Sequence, residues 1–417
     1  MKKTARKAIS ALLAAAICLG ISCTALAAEP EPEKEEEFRG VWIASVANTN
    51  WPSKKGLTAT EQKAEYGKLM DEVEAMNLNA VVVQIRPTAD AFYPSKLNPW
   101  SEYLSGKQGK DPGYDPLAYM IQESHGRDLE FHAWFNPFRV STSTAKKDWA
   151  DLSVMKTHPE WVVSYGGTLW LNPGLPEVRE YALASIMEVV KNYDIDAVHF
   201  DDYFYPYPSG KAEFPDWTQY KLYRDGVSDI YDWRRDNINF FIRDVSAAIK
   251  KEKPGVKFGV SPLGVWRSKS EDENGSDTTA KGSYDTIYAD TVLWMKKGWL
   301  DYVAPQIYWD FEFEPAPYKK VLDFWVKQAE AYPNVHLYIG QGVYKIGSKG
   351  SWSNPEEMPK QLTLNRSVDA VKGVILYNIH SLIKNPLSIK DILVDEFYKK
   401  AASIPGMPWL EASPDIP

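Results

Sequence analysis

Two adjacent carboxylates, Asp201 and Asp202, close the run Asp196-Ala197-Val198-His199-Phe200-Asp201-Asp202-Tyr203-Phe204-Tyr205-Pro206. Its first half, with Val198 and Phe200, reads as a buried strand. Burying two neighbouring carboxylates is costly unless they are partnered or solvated, so the pair belongs at a strand end that opens on a polar cleft. A plainer reading has the pair capping a following helix or meeting a surface lysine. Alternation along the strand puts His199, Asp201 and Tyr203 on one side and Val198, Phe200 and Asp202 on the other. The polar set faces a barrel interior, and Asp202 joins it only if the strand has already ended.

The same alternation selects Gln84 and Arg86 from a second strand, His132, Trp134 and Asn136 from a third, and Gln306, Tyr308 and Asp310 from a sixth. Polar side chains on one face of apolar strands suit a pocket for a hydroxyl-rich ligand. Glycoside cleavage needs an acid for the leaving oxygen and a carboxylate that attacks or activates water. Asp201 is the candidate nucleophile or charge stabiliser, with Asp202 or Asp310 as the acid. A carboxyl separation of about 5 Å would imply retention, and about 6.5 to 9.5 Å inversion. If the sugar is N-acetylated, its acetamido group can attack instead, with Asp201 orienting it, Asp202 donating the proton and Tyr308 assisting.

Other residues near these strand ends are candidate substrate contacts. Arg86 either hydrogen-bonds to sugar or to a carboxylate carried on it, or pairs with Asp201 and sets its ionisation. His199, Tyr203, Tyr205 and Gln306 are expected in the pocket. Trp51 and Trp266 are subsite candidates, although loop tryptophans as often serve as packing lids. His132 and His199 raise a metal reading, but only six histidines exist and the first strand has no His-x-His, so neither metal nor cofactor is expected.

Positioning such a set requires many strands. Candidates are Val41–Ala44, Ala80–Ile85, Phe131–Phe135, the Asp196 run, Lys257–Val260, Tyr302–Trp309, Leu337–Gly340 and Val374–Tyr377. Helices fall between them. Thr58 and Glu61 have capping-box spacing, Asp115-Pro116 opens another helix, a third starts near Pro176, one surrounds Trp233 to Ile249, and the last covers Ile389 to Phe397. Eight such repeats predict an α/β fold, a (β/α)8 TIM barrel with long loops at the C-terminal face. No glycine-rich turn follows the first strand, which disfavours an open doubly wound sheet. The insertion at 141–175 leaves a strand end and is expected over the cleft.

The chain's margins read differently. Residues 1–27 form a signal peptide: Lys2, Lys3, Arg6 and Lys7 precede an apolar run and an Ala25-Leu26-Ala27 cleavage site. Residues 28–37 form an acidic linker, 38–403 the barrel, and 404–417 a Pro-rich tail. Export to the periplasm, cell envelope or extracellular space is expected. A lipid anchor at Cys23 is disfavoured, because Gly20 stands where an aliphatic residue is needed. Both cysteines lie in the leader, so the remaining chain has no disulfide. No further stretch is apolar enough to cross a bilayer. A formal charge of −8, from which the leader removes positive groups, repels nucleic acid and anionic membranes. Sixteen tryptophans and twenty-four tyrosines give a surplus of rings suited to stacking on sugars.

Eight motifs in order reinforce this reading. They are Phe38-Arg39-Gly40-Val41-Trp42, Thr49-Asn50-Trp51-Pro52, Val83-Gln84-Ile85-Arg86-Pro87, Pro112-Gly113-Tyr114-Asp115-Pro116-Leu117, Ala133-Trp134-Phe135-Asn136-Pro137-Phe138-Arg139, Leu171-Asn172-Pro173-Gly174, His199 to Pro206, and Pro305-Gln306-Ile307-Tyr308-Trp309. Together they resemble glycosyl hydrolase-like family ten, across residues 38 to about 380. The resemblance implies a TIM barrel glycosidase of the bacterial envelope whose glycan partner is peptidoglycan with its stem peptides removed. Rival readings are a carbohydrate-binding barrel without turnover and a glycosidase of another polysaccharide.

Overall fold

The computed structural model describes residues 35–145 and 148–411. The predicted leader, Cys23 and most of the acidic linker lie outside the described residues, as does the end of the tail. Eight parallel strands close into a barrel: β1 Phe38–Ile43, β2 Ala80–Arg86, β3 Glu130–Phe135, β4 Ala197–Phe200, β5 Lys257–Val260, β6 Tyr302–Val303, β7 His336–Gln341 and β8 Val371–Leu376. Closure comes from β1 pairing with β8, Phe38 opposite Gly373 and Val41 opposite Leu376. The (β/α)8 fold is therefore as expected.

The helices that cover this sheet start where local chemistry places them. α1, Ala59–Ala75, carries the capping box: Thr58 accepts the Glu61 N–H while Glu61 accepts the Thr58 N–H. α2, Pro116–His125, has proline at its first position and Asp115 capping Ala118. α3, Pro176–Asn192, and α4, Ile230–Glu252, pack side by side outside β3 to β5. α5 Thr291–Lys296, α6 Tyr318–Ala331, α7 Glu357–Arg366 and α8 Ile389–Ile392, the last running on through a widened turn to Phe397, complete the ring.

Alternation divides the burial into two cores. Val41, Ile43, Val81, Val83, Phe131, Val198, Phe200, Phe258, Leu337 and Ile339 face outward into the layer under the helices. Phe38, Trp42, Ala80, Val82, Trp134, Ala197, Tyr302, Tyr338 and Ile375 fill the barrel interior. Side chains of this size contribute about 1.5–3 kcal/mol each when fully buried. The interior works only because Gly259 has no side chain: a Cβ there would sit 2.1 Å from the Tyr302 ring.

The floor is closed by both margins of the described chain. Glu37, assigned to the linker from sequence, is buried and paired with Arg39 at 2.8 Å and Arg366 at 2.7 Å, which compensate its charge. The tail is likewise part of the fold up to residue 411. Met407 is buried in the interior cluster, and Trp409 Nε1 donates to Asp301 Oδ1 at 3.1 Å. Glu37 N–H donates to the Ser403 carbonyl at 3.0 Å.

Candidate active site

At the C-terminal mouth a cavity of about 280 Å³ is lined by thirteen residues, among them Trp42, Gln84, Trp134, Arg139, Asp201, Asp202, Tyr203, Gln306 and Tyr308. Asp201 and Asp202 follow β4 immediately. Strand pairing stops at Phe200, so the backbone is free to turn and both carboxylates reach the same cavity.

The hydrogen bonds around Asp201 fix its chemistry. Asn136 Nδ2 donates to both of its oxygens, at 2.7 and 2.8 Å, and the Tyr203 N–H adds a third donor at 3.2 Å. The amide cannot be turned the other way round. Arg139, which has donors only, gives Nη2–H to Asn136 Oδ1 at 2.9 Å. Gln84 Nε2 donates to the same oxygen, while its own Oε1 accepts the Ser45 and Val46 N–H groups. Each amide thus has one orientation, and Asp201 meets donors alone, the setting of a carboxylate anion.

Asp202 is held differently. Gln306 Nε2 donates to Oδ1 at 3.1 Å and the Tyr207 hydroxyl meets Oδ2. A phenol can donate or accept, so Asp202 keeps its partner when protonated, whereas Asp201 would lose one. Burial pushes both carboxyls above the ordinary carboxylate range, and the Asp202 charge adds to the effect on Asp201. The pair therefore retains one proton towards neutrality, and the arrangement places it on Asp202.

The walls are aromatic. Tyr308 and Tyr377 stack at 6.0 Å between centroids, and Tyr344 meets both edge-on. Opposite them Tyr203 lies under the Arg139 guanidinium at 4.9 Å and stacks on Trp170 of the insertion. That segment forms a three-stranded sheet, Arg139–Ser141, Val162–Tyr165 and Thr168–Leu171, which flanks the mouth through Trp170 and, contrary to the expectation that it lies over the cleft, puts none of the described residues of 141–175 in the cavity lining. The buried Ser261 Oγ and Trp134 Nε1 line the same cavity without a protein hydrogen-bond partner among the described residues.

Of the residues singled out from sequence, Asp201, Asp202, Gln84, Trp134, Tyr203, Gln306 and Tyr308 line the cavity, and Asn136 braces Asp201 from behind. The others do not meet there. A register shift between Gln84 and Arg86 breaks the alternation, and Arg86 instead holds the carbonyls of Asn136 and Pro137 and the Asn98 side chain. Arg86 thus positions the loop bearing Asn136; it does not line the cavity and makes no hydrogen bond to Asp201. Asp310 makes a turn, accepting the Glu312 N–H, because β6 ends after two residues and alternation is lost beyond Tyr308.

His199 sits below the cavity, its ring nitrogens bonded to Trp42 Nε1 at 3.2 Å and the Tyr302 hydroxyl at 2.9 Å. The same hydroxyl meets His132 Nδ1 at 2.9 Å, and His132 Nε2 meets Glu130 at 3.0 Å. Both rings are committed to protein partners, and burial keeps His199 well below the usual histidine range. Tyr205 turns away to pack against Phe214 and Tyr288. Trp51 and Trp266 are core residues, bonded to the Gln62 carbonyl and to Asp290.

Sequence reasoning missed Arg139, Trp42, Tyr207, Ser261, Tyr344 and Tyr377 as site residues. Trp42 could have been found by applying the alternation to β1, and Tyr377 by extending it one residue past β8. Tyr207 sits in a loop and Tyr344 in a single 3-10 turn, where no strand period exists to reveal direction, and Arg139 opens a three-residue strand whose register shifts at once.

A model of the glycosyl hydrolase-like 10 family matches residues 37–356. Glycosyl hydrolase YngK of Bacillus subtilis strain 168 is 53% identical over 384 residues, covering 91% of this chain and 75% of that protein. Glycosyl hydrolase DigH of Escherichia coli K12 is 38% identical over 369 residues, 83% of each chain. Among solved structures, the PgaB (BpsB) glycoside hydrolase domain from Bordetella bronchiseptica gives a TM-score of 0.55 at 13% identity, covering 88% of this chain and 100% of that one. The catalytic domain of a β-amylase from Paenibacillus polymyxa gives 0.53 at 10% identity, covering 88% and 98%. At these identities the two structures share the barrel with this chain.

Proposed function

The chain belongs to the glycosyl hydrolase-like 10 family, and from that premise we propose that it is an exported glycoside hydrolase of amino-sugar glycan, acting on peptidoglycan strands that have lost their stem peptides. The observation that carries the catalytic reading is the carboxylate pair: one member is braced as an anion by Asn136, and its neighbour is partnered so as to hold a proton. The predicted leader supports export, and the resemblance carried by the eight motifs supports the choice of glycan.

Two acids leaving one strand end reach a sugar from the same wall, and no third carboxylate lines the cavity among the described residues. That favours participation by the substrate. Asp202 gives its proton to the glycosidic oxygen as the C1–O bond breaks, while the acetamido carbonyl oxygen bonds to C1. Asp201 accepts the acetamido N–H and stabilises the positive ring that forms. Water then opens this ring at C1, returning a proton to Asp202, and Tyr308 and Tyr377 supply the flat wall against the sugar.

Digestion of peptide-free peptidoglycan beside chitin and xylan, with product masses read out, tests the proposal. Products from the first, and none from xylan, are expected. Release of products from xylan alone would point to another polysaccharide, and binding with no products from any glycan would leave a carbohydrate-binding barrel. Equal cleavage of substrates lacking the acetamido group would overturn the substrate-assisted step alone.

A further inference from the structure

Among the described residues Arg139 is the only cation that lines the cavity. Its guanidinium is held rigidly: Nε–H donates to the Pro87 carbonyl at 3.0 Å, Nη2–H to Asn136 Oδ1 at 2.9 Å, and the plane rests over Tyr203. Those two bonds use one edge of a group with five N–H donors in a fixed fork. The other edge, Nη1 with the second Nη2 hydrogen, has no recorded acceptor among the described residues. An aligned, largely buried fork of this kind matches a carboxylate bidentately. Balancing the Asp201–Asp202 charge would need no such alignment, and the hydroxyls of a neutral sugar would meet the fork without a charge to match it.

We propose that Arg139 reads a free carboxylate carried by the sugar at the cleavage site, so that the enzyme selects acidic over neutral amino-sugar glycan. In peptidoglycan this group is the ether-linked carboxylate that stem peptides cap as an amide, and that their removal exposes. The inference rests on the proposed hydrolase reading and deepens it, since it supplies a physical reason for stripped strands to be preferred: amidation removes the negative charge and one of the two acceptor oxygens. The residue is a specificity determinant here as well as a brace for Asn136.

The test compares kcat/KM on two oligosaccharides that differ only in whether that carboxylate is free or converted to a methylamide, with wild type and Arg139→Lys. Wild type should favour the free acid by roughly tenfold or more, as expected for charge-assisted hydrogen bonds. In R139K the ratio should fall towards unity. Because the ratio is taken within each variant, any general loss through Asn136 cancels. Equal rates for the two substrates with wild type, or an undiminished ratio in R139K, would overturn the inference and leave the hydrolase reading standing. Calorimetry on Asp201→Asn with the same pair separates the two ideas further. Tighter binding of the free acid without any wild-type cleavage would sink the hydrolase reading alone. If R139K fails to fold, the wild-type comparison still decides, equal rates overturning the proposal.

Discussion

At the floor of the barrel Glu130 is enclosed beside His132 and Lys257, whereas at the mouth Asp201 and Asp202 are enclosed chiefly beside each other. Burial alone would raise all three carboxyls. At the floor a histidine and an ammonium outweigh it and hold Glu130 down to about 2. At the mouth the burial wins, and the two acids keep a proton between them. The same desolvation therefore yields a fixed structural anion at one end and a mobile proton at the other, and the difference lies in the partners. Between floor and mouth the Trp42–His199–Tyr302–His132–Glu130 chain partners each of its ring and hydroxyl polar atoms, while the mouth leaves Ser261 Oγ and Trp134 Nε1 without a protein partner among the described residues.

The contrast can be broken most directly at the pair. Asp201→Asn or Asp202→Asn should cost about 10³-fold in kcat with ligand binding retained, measured by product release and calorimetry. A loss below about tenfold would mean that the pair is structural like Glu130. Asn136→Leu comes next. It leaves Asp201 without its amide donor and should lower kcat by about 100-fold. It should also move the acid limb of the rate profile to higher pH, because an anion that loses donors is protonated more readily.

At the floor the expected loss is of stability. Glu130 is depressed in the folded state, so its contribution is present above its unfolded value of 4.5 and disappears as pH falls towards about 2. Glu130→Gln should cost on the order of 2 kcal/mol at pH 7, by urea denaturation, and progressively less below pH 4. The mouth should respond with the opposite sign and least. The Asp201–Asp202 pair is raised, so between the unfolded value of 3.8 and about 7 the folded form keeps one proton between the two carboxyls that the unfolded chain has released, and stability falls as pH rises. Asp201→Asn should therefore be more stable than wild type at pH 8 by about 1 kcal/mol, with the gain vanishing near pH 4.

The architecture was legible because each strand carries a period: all eight were found where β-branched and aromatic runs lie, although the sixth, read as Tyr302–Trp309, is strand only over Tyr302–Val303. The site was legible only as far as that period holds. Gln84, Asn136, Asp201, Gln306 and Tyr308 follow it and were recovered. Arg86 fell to a register shift, Asp310 to the early end of β6, and Tyr205 to a loop that reverses its direction. Trp51 and Trp266 show that an indole in a loop says nothing about which way it faces until its N–H partner is known. Arg139 was hidden because it opens a three-residue strand whose register shifts between Arg139 and Ser141, although it lies three residues beyond Asn136.

The seam where Glu36 bridges Ser403 has a consequence for the chain as a string. The barrel's strand order is a cycle, and the two margins of the described chain lie side by side on its floor, away from the mouth. A circularly permuted gene, reading from residue 411 through a flexible linker to residue 35 and opened at the exposed Pro254-Gly255 turn, would preserve every strand pairing. For the strand pairings alone, the point at which the cycle is opened is a matter of convenience.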